Sequence, residues 1–452
     1  MALPETIPVV LPGALDTQRL DKLKTEFTKN FKKEVECGIR APGRINLIGE
    51  HIDYSGFGVL PMAIDKDIIM VISFETADSF EIDLRNTDPK FKNEIIKSLE
   101  IDDSKLTWTN YFKAGLRGLF DQVGIPKGKI NVLVDSNLPS GAGLSSSSAL
   151  VVCSIFFAQL CWRLYSKSSN TAYTSPTVNK LVQYAIKSEQ FVGVKAGGMD
   201  QAISTYGQLN SACYVEFVPE LKATPAKLEF MEIGDPCFVV AHSNVRADKH
   251  ITAPFQYNLR VVETRVAAHL LGAETLKDFF DKVNGSFEKC VNDINVLSKE
   301  GYTLQQTYSL LNITPSQFKS KFHPDFEIKC DKLELYKRAL HVFKEAERVI
   351  LAQQSKTIEE MGAFMKASQN SCRDLFDCSC PEINQLCALS KSYGSRLTGA
   401  GWGGCTIHLI KKHELPQLLE SIKPCYKGAN MDELVFVTVP SMGACYIDFK
   451  KQ

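Results

Sequence analysis

The chain has 452 residues, with 52 Lys and Arg balanced by 52 Asp and Glu, and 44% of its residues are hydrophobic. This composition is typical of a globular protein and excludes a disordered or fibrous one. The balanced charge argues against nucleic acid and membrane surfaces as partners, since binders of polyanions normally carry a basic excess. The length predicts two domains, which we place at residues 1–215 and 216–452.

The chain shows no sign of secretion or membrane insertion. Its first residues lack a basic segment and are interrupted by prolines, so we expect no secretory signal. The longest apolar run, residues 149–162, is shorter than the roughly 20 residues that cross a bilayer. Several of the 14 cysteines lie in apolar runs, where a thiol behaves as a small hydrophobe. We expect a reduced, cytoplasmic protein, monomeric by default.

Hydrophobic periodicity and β-branched content predict a mixture of strands and helices. In the first half we predict strands at residues 68–74 and 130–134 and helices at 146–165 and 177–192. In the second half we predict strands at residues 237–241, 406–410 and 434–439 and helices at 335–351, 358–376 and 382–393. The mixture predicts the α+β class.

Residues 40–62 gather charged and polar side chains among glycines. Within ten residues this segment carries Arg44, Glu50, His51 and Asp53. Carboxylates and imidazoles exchange hydrogen bonds with vicinal hydroxyls in fixed directions, so the cluster suits a polyhydroxylated ligand. A charged surface turn would have a similar composition, and this segment alone does not exclude it.

Residues 138–150 read Leu-Pro-Ser-Gly-Ala-Gly-Leu-Ser-Ser-Ser-Ser-Ala-Leu, directly after a predicted strand and at the start of a predicted helix. Glycines let backbone N–H groups approach phosphate oxygens, and the N-terminus of a helix favours an anion. No Gly-Lys-Ser/Thr follows, so this is not a P-loop. A serine-rich helix cap is the alternative, but four consecutive serines exceed what capping requires. We predict a phosphate site.

Two further segments are less specific. Residues 395–406 are rich in glycine before a predicted strand, which implies close approach of the backbone to a ligand or to another backbone. Residues 189–201 contain Glu189 at the end of an amphipathic helix and Asp200 just after a glycine pair. Asp200 is placed where a carboxylate can point into a cleft, although this segment taken alone favours a surface carboxylate.

Together these segments resemble the GHMP family of small-molecule kinases, and residues 49–54, Gly-Glu-His-Ile-Asp-Tyr, resemble the signature of its galactokinase branch. The resemblance implies a ribosomal-protein-S5-like N-terminal domain and a ferredoxin-like C-terminal domain with extra helices. It places the active site in the cleft between them. The implied activity is ATP- and Mg²⁺-dependent phosphorylation of the C1 hydroxyl of a galactose-type sugar.

Within this branch the sequence is most similar to the N-acetylgalactosamine kinases. The similarity is carried by Ile52 and by residues 108–112, 197–201 and 371–382. It implies N-acetylgalactosamine as substrate, giving N-acetyl-α-D-galactosamine 1-phosphate and ADP. Galactose, giving galactose 1-phosphate, is the alternative, because fungal galactokinases share several of these features.

The resemblance implies a role for each matching residue. Asp200 matches the carboxylate regarded as the catalytic base, and Arg44 matches the arginine thought to keep it ionised and to stabilise the transferring phosphoryl group. Both also belong to the sugar site. The other positions that match or resemble sugar contacts are Glu50, His51, Asp53, Gly197 and Tyr257.

The remaining matches concern the nucleotide and the metal. Ser147 and Glu189 match the magnesium ligands. Trp108 resembles the residue that lines the adenine pocket, and Lys249 is assigned to the nucleotide although its surroundings depart from the usual family sequence. The residues expected to surround the phosphates are Gly141, Gly143, Leu144, Ser145 and Ser146.

Two other functions fit parts of the pattern. A non-catalytic galactose sensor would share the fold, but some fungal sensors lack residues of the serine loop, which is uninterrupted here. Another GHMP kinase, such as a mevalonate kinase, would share the serine loop but lack the Glu-His-x-Asp cluster. The sequence therefore favours the sugar kinase.

Overall fold

The computed structural model describes residues 6–102, 107–139, 141–193, 197–245, 252–324 and 326–450. The strands are β1 (Val9–Val10), β2 (Cys37–Ile48), β3 (Leu60–Glu75), β4 (Phe80–Asn86), β5 (Glu94–Ile96), β6 (Gly128–Ser136), β7 (Ser211–Glu216), β8 (Lys222–Lys227), β9 (Pro236–His242), β10 (Tyr302–Thr303), β11 (Lys332–Leu333), β12 (Gly394–Thr398), β13 (Cys405–Lys411), β14 (Val435–Thr438) and β15 (Cys445–Asp448).

The helices follow the same chain order. They are α1 (Thr17–Phe31), α2 (Trp108–Val123), α3 (Ser146–Ser169), α4 (Val178–Ser188), α5 (Met199–Tyr206), α6 (Tyr257–Leu270), α7 (Leu276–Lys282), α8 (Phe287–Asp293), α9 (Leu304–Leu311), α10 (Pro315–Phe322), α11 (Leu335–Ala352), α12 (Ile358–Asp374), α13 (Pro381–Leu389), α14 (Leu415–Ile422) and α15 (Met431–Leu434). Short 3₁₀ turns lie at Pro12–Ala14, Asp53–Ser55, Glu189–Val192, Glu229–Glu232, Ile294–Val296, Lys412–Glu414 and Lys423–Tyr426.

The first sheet has seven strands in the order β1-β15-β2-β3-β6-β4-β5. Helices pack on both of its faces, with α1 on one face and α3 and α5 on the other. Strand β3 shows this arrangement, because Ile69 and Val71 pack with α1 whereas Met70 and Ile72 belong to the main core. Burial on both faces explains why the sequence here is a continuous apolar run rather than an alternating one.

The second sheet has four antiparallel strands in the order β12-β13-β9-β14. Helices α6 to α13 lie between β9 and β12 in the chain, and α14 and α15 lie between β13 and β14. This is the ferredoxin-like arrangement with extra helices, and the predicted α+β class is confirmed. Strand β15 pairs with β2 of the first sheet, so the last strand of the predicted domain 216–452 returns to the N-terminal sheet.

Most predicted elements occur near their predicted bounds, and the differences have local causes. The predicted helix 177–192 is α4 followed by the 3₁₀ turn Glu189–Val192. The predicted helix 382–393 ends at Leu389, because the backbone becomes extended at Ser390 before β12 begins. Strand β2 was not predicted, because polar residues interrupt its apolar pattern and the strand contains two irregularities in register.

Helix α3 has the length and apolar composition of a membrane span. Most of that apolar stretch is buried inside the protein, against the first sheet and helix α2. A central helix of a globular core has this composition on all its faces, and burial here accounts for it.

Candidate active site

Arg44 and Asp200 form the central ion pair of the site. The Nε atom of Arg44 donates to Oδ1 of Asp200 at 2.7 Å, and Nη2 donates to Oδ2 at 3.1 Å. Arg44 lies in β2 and Asp200 in the first turn of α5, which is anchored to β2 where Ser204 Oγ donates to the Pro42 carbonyl at 2.7 Å. The bidentate geometry fixes the carboxylate in orientation as well as in position.

The serine loop lies against this ion pair. Ser145 donates its hydroxyl to Oδ2 of Asp200, and Nη1 of Arg44 donates to the Gly143 carbonyl at 2.6 Å. The backbone N–H of Arg44 donates to the carbonyl of Leu144 at 3.2 Å. Helix α3 begins at Ser146, the residue after Ser145, so its N-terminus lies beside the carboxylate of Asp200 and the guanidinium of Arg44. A helix N-terminus at this position favours a bound anion.

The second glycine-rich segment packs against the backbone of the serine loop. A Cβ atom on Gly399 would lie 2.7 Å from the Gly143 carbonyl oxygen, and one on Gly404 would lie 3.1 Å from that of Ala142. The sequence predicted that this segment approaches either a ligand or another backbone. At Gly399 and Gly404 it approaches another backbone. Gly141, by contrast, is exposed at the tip of the loop.

Glu50 is buried, and both oxygens of its carboxylate accept hydrogen bonds within the protein. Its Oε1 accepts the Gly399 N–H at 2.8 Å, and its Oε2 accepts from the side chain of Asn46 at 3.1 Å. Burial raises the pKa of Glu50, and the guanidinium groups of Arg396 and Arg44 oppose that shift. Glu50 is thus part of the wall of the site.

His51 has a left-handed backbone, with a φ of 61°. Its Nε2 lies 2.9 Å from the Ala400 carbonyl, and its Nδ1 lies 3.0 Å from the Tyr54 hydroxyl. Because a carbonyl only accepts, Nε2 carries the proton and the Tyr54 hydroxyl donates to Nδ1. Burial lowers the pKa of His51 to about 3, so the imidazole is neutral. Both nitrogens are engaged within the protein, and one of these bonds must exchange for a hydroxyl ligand to bind the ring directly.

Asp53 and Tyr257 lie close enough to Asp200 to feel its charge, and Gly197 lies against Asp53. Burial and the neighbouring Asp200 raise the pKa of Asp53 to about 7. Burial raises the pKa of Tyr257, and the negative charges of Asp53 and Asp200 raise it further. A Cβ atom on Gly197 would lie 1.9 Å from Oδ2 of Asp53, so a side chain at this position must displace the Asp53 carboxylate.

If Asp53 contacts a sugar, as the resemblance implies, replacing Gly197 by alanine is expected to raise the KM for the sugar about 10-fold or more, while the KM for ATP changes much less. The added methyl group must displace the Asp53 carboxylate, and overpacking of this kind costs about 1–3 kcal/mol. Steady-state kinetics with each substrate varied in turn measures the effect. Gly13→Ala is the control, because no atom lies within 4 Å of the added group. An unchanged sugar KM in Gly197→Ala would indicate that Asp53 does not contact the sugar.

The predicted metal and nucleotide residues that the structure describes lie on three different helices or helix ends. Ser147 is in its first turn, and Glu189 is buried at the end of α4. A hydroxyl and a carboxylate are suitable oxygen ligands for Mg²⁺, which usually takes one or two protein ligands together with substrate phosphates. Trp108 begins α2, and its indole N–H donates to the Lys92 carbonyl at 3.0 Å. Lys249 lies outside the described residues.

Sequence reasoning missed the residues that support Glu50. Arg396 is fully buried, and its Nη1 donates to the Asn46 carbonyl at 2.7 Å and approaches Oε1 of Glu50 at 3.5 Å. Thr398 accepts the N–H of Asn46 at 2.9 Å. The one available signal was a charged residue inside an otherwise small and apolar strand, at Arg396 in β12.

Three family profiles match the chain. The galactokinase galactose-binding signature matches residues 25–74, which include Arg44, Glu50, His51 and Asp53. The GHMP kinases N terminal domain matches residues 110–208, which include the serine loop. The GHMP kinases C terminal domain matches residues 347–427.

Solved structures share the fold. Lactococcus lactis galactokinase complexed with galactose superposes with a TM-score of 0.69 at 23% identity, covering 94% of this chain and 99% of the other. The Methanococcus jannaschii mevalonate kinase superposes with a TM-score of 0.57 at 17% identity, covering 90% and 98%. At these identities the likeness concerns the fold alone.

Curated relatives are similar over nearly their whole length. The galactokinase of Saccharomyces cerevisiae is 33% identical, with 96% of each chain covered. The galactokinase of Dictyostelium discoideum is 34% identical, covering 95% of this chain and 94% of the relative. With the fold, the profile matches and the Arg44–Asp200 pair, these similarities establish that the chain belongs to the GHMP kinases and carries the signature of the galactokinase branch.

Proposed function

We propose that this protein transfers the γ-phosphoryl group of ATP to the C1 hydroxyl of galactose, giving galactose 1-phosphate and ADP. The observation that carries the proposal is the contact between the serine loop and the Arg44–Asp200 pair. That contact places an anion-binding helix end beside an oriented carboxylate and a guanidinium. A kinase needs these three groups within reach of one transferring phosphoryl group.

The chemistry follows from the positions of these residues. Asp200 accepts the proton of the C1 hydroxyl as its oxygen attacks the γ-phosphorus, and the bond from that phosphorus to the bridging oxygen of ADP breaks. Arg44 offsets the negative charge that spreads over the transferring group. A carboxylate is a weak base for a sugar hydroxyl, so orientation and electrostatics supply most of the rate, and proton abstraction contributes about 10²–10⁴-fold.

We assign the magnesium site to Ser147 and Glu189. Bound Mg²⁺ would neutralise phosphate charge and orient the nucleotide. The side-chain oxygens at the two positions fit that ion, and the place of Ser147 in the first turn of α3 fits a metal carried by the phosphates. The expected consequence is a reaction that stops when EDTA removes the metal and resumes when Mg²⁺ is added in excess.

Galactose is the leading substrate because relatives that match 95–96% of the chain are galactokinases. N-acetylgalactosamine is the second candidate, and it rests on the sequence similarities at Ile52 and at residues 108–112, 197–201 and 371–382. The two sugars differ only in the group at C2. The choice therefore depends on whether the site has room for an acetamide and a polar partner for it.

The experiment that tests the function compares kcat/KM for galactose and N-acetylgalactosamine with the purified chain, ATP and Mg²⁺. ADP release measures the rate, and ³¹P and ¹H NMR identify the phosphorylated carbon. We expect a C1 phosphate and a higher kcat/KM for galactose. A higher value for N-acetylgalactosamine would reverse the substrate assignment and keep the reaction. Saturable sugar binding without ADP release would instead support the sensor.

A further inference from the structure

The sugar-binding segment at residues 49–51 has an unusual backbone. Gly49 has a φ of 114° and His51 a φ of 61°. A side chain such as histidine seldom adopts the left-handed region, and such a conformation persists only where surrounding contacts enforce it. A Cβ on Gly49 would lie 3.0 Å from the side chain of Val59 and 3.1 Å from that of Val349, so the segment is also tightly enclosed.

One helix holds the two peptide groups that flank the Gly49–Glu50 peptide. Glu345 Oε1 accepts the N–H of Gly49 at 3.0 Å. His341 Nε2 donates to the carbonyl of Glu50 at 3.0 Å. His341 and Glu345 are four residues apart in α11, so they lie on the same face of the helix. The helix therefore fixes the backbone on both sides of the peptide plane that joins Gly49 to Glu50.

His341 is itself held in one tautomer. Since the Glu50 carbonyl only accepts, Nε2 of His341 carries the proton, and Nδ1 accepts from the Ser371 hydroxyl at 2.8 Å. Burial lowers the pKa of His341 to about 4, which keeps the ring neutral. The ring of Phe376 lies between His341 and His51, with centroid distances of 4.4 and 4.8 Å. His341 thus bonds directly to the carbonyl of Glu50, and it also packs against Phe376, which in turn packs against His51.

Glu345 is anchored from the other side. Its Oε1 also accepts the Ser368 hydroxyl at 2.6 Å, and its Oε2 accepts Nε of Arg348 at 2.8 Å. Burial alone would raise the pKa of Glu345, but the Arg348 guanidinium, with smaller effects of Arg396 and of the hydrogen bond from Ser368, outweighs it and lowers the pKa to about 2. Arg396 completes the chain by donating to Ser368 at 3.1 Å. The Glu345 carboxylate thus accepts from Ser368 and Arg348 as well as from the Gly49 N–H, and these bonds fix its position opposite that N–H.

We propose that His341 and Glu345 are positioning residues that set the affinity for the sugar by holding residues 49–51 in their binding conformation. The inference rests on the proposed function, which places the sugar at this segment. Among the described residues, the hydrogen bonds of His341 and Glu345 reach residues 49–51 and helices α11 and α12, and none reaches the serine loop. The effect of losing them is therefore selective for the sugar over ATP.

The test replaces His341 by leucine and by glutamine. Leucine leaves the buried Glu50 carbonyl without its donor, and we expect the sugar KM and the equilibrium dissociation constant for the sugar to rise about 10-fold. The KM for ATP is expected to stay within about twofold. A glutamine amide can reach the same carbonyl, so His341→Gln is expected to recover most of the lost affinity.

His408→Leu is the matched control. His408 is also fully buried in the C-terminal half, and both its ring nitrogens are bonded, to the hydroxyls of Ser390 and Thr406 at 2.8 Å each. Its removal costs comparable hydrogen bonds away from residues 49–51. We expect both KM values to remain near those of the original protein, which separates positioning from a general loss of stability.

Three outcomes would overturn the inference: an unchanged sugar affinity in His341→Leu, an equal rise in both KM values, or no recovery in His341→Gln. If His341→Leu does not fold, Ser371→Ala is the alternative variant, because it removes only the hydroxyl that donates to Nδ1 of His341. An unchanged sugar KM in Ser371→Ala would likewise overturn the inference. Failure of the proposed function looks different. In that case the original protein phosphorylates no sugar, whereas failure of the positioning inference leaves an active enzyme whose sugar affinity is insensitive to these residues.

Discussion

Replacing Asp200 by asparagine is expected to lower kcat by about 10²–10⁴-fold while sugar and ATP binding stay within a few-fold. Asparagine has nearly the same shape, and its amide oxygen can still accept from Arg44 or Ser145, which both donate to the carboxylate. It cannot take the proton of the C1 hydroxyl. Steady-state kcat, together with equilibrium binding of each substrate, distinguishes a lost base from a disturbed site.

Asp83→Asn provides the control for this substitution. Asp83 forms a bidentate pair with Arg85, with distances of 3.0 and 2.8 Å, in strand β4 at the edge region of the first sheet. The same chemical change there is expected to leave kcat unaltered. Equal losses of binding and rate in Asp200→Asn would assign Asp200 a structural role and remove the base from the proposed reaction.

The parts of the site that follow local rules could be predicted from the sequence. Glycines and serines after a strand predicted an anion site at the start of a helix, and α3 begins at Ser146, where the periodicity placed it. The meeting of Arg44 with Asp200, 156 residues away, could not come from spacing. It followed from the resemblance to the GHMP kinases, because only a fold brings such distant residues together.

The supporting residues could not be predicted, because their environment is tertiary. Helix α11 was predicted from its apolar face, and the polar residues beside that face are expected to meet solvent. In the structure Arg338, His341 and Glu345 are buried instead, and each has partners from other elements. Periodicity does not distinguish a solvated polar stripe from one that packs against polar groups of another segment.

The bounds of β2 illustrate the same limit in a strand. The charges and glycines of residues 40–62 indicate a binding segment. The pattern did not indicate a 12-residue strand, because Arg40, Arg44 and Asn46 interrupt it. These side chains are buried because each has partners inside the protein, such as Asp67 for Arg40. A polar residue in a central strand is therefore a sign of function or of a buried network.

Replacing Arg44 by lysine is expected to lower kcat/KM for the sugar by about 10²–10³-fold, the loss typical of removing one oriented donor to a transition state. Lysine keeps the charge but not the planar fork, so it cannot donate to both oxygens of Asp200 and to the Gly143 carbonyl at once. Arg85→Lys, at the bidentate pair with Asp83, is the matched control and is expected to leave the activity intact.

The double variant Arg44→Lys with Asp200→Asn separates two ways in which Arg44 can act. If Arg44 serves mainly to orient and ionise Asp200, the double variant loses little more than the worse single one, because the base it supports is already gone. If Arg44 also stabilises the transferring phosphoryl group on its own, the Arg44→Lys substitution still lowers the rate in the Asp200→Asn background. Since Nη1 reaches the serine loop rather than Asp200, we expect a residual loss of about 10-fold in the double variant relative to Asp200→Asn. Fully additive losses would mean that the two residues act independently, and the ion pair would then have no part in the reaction.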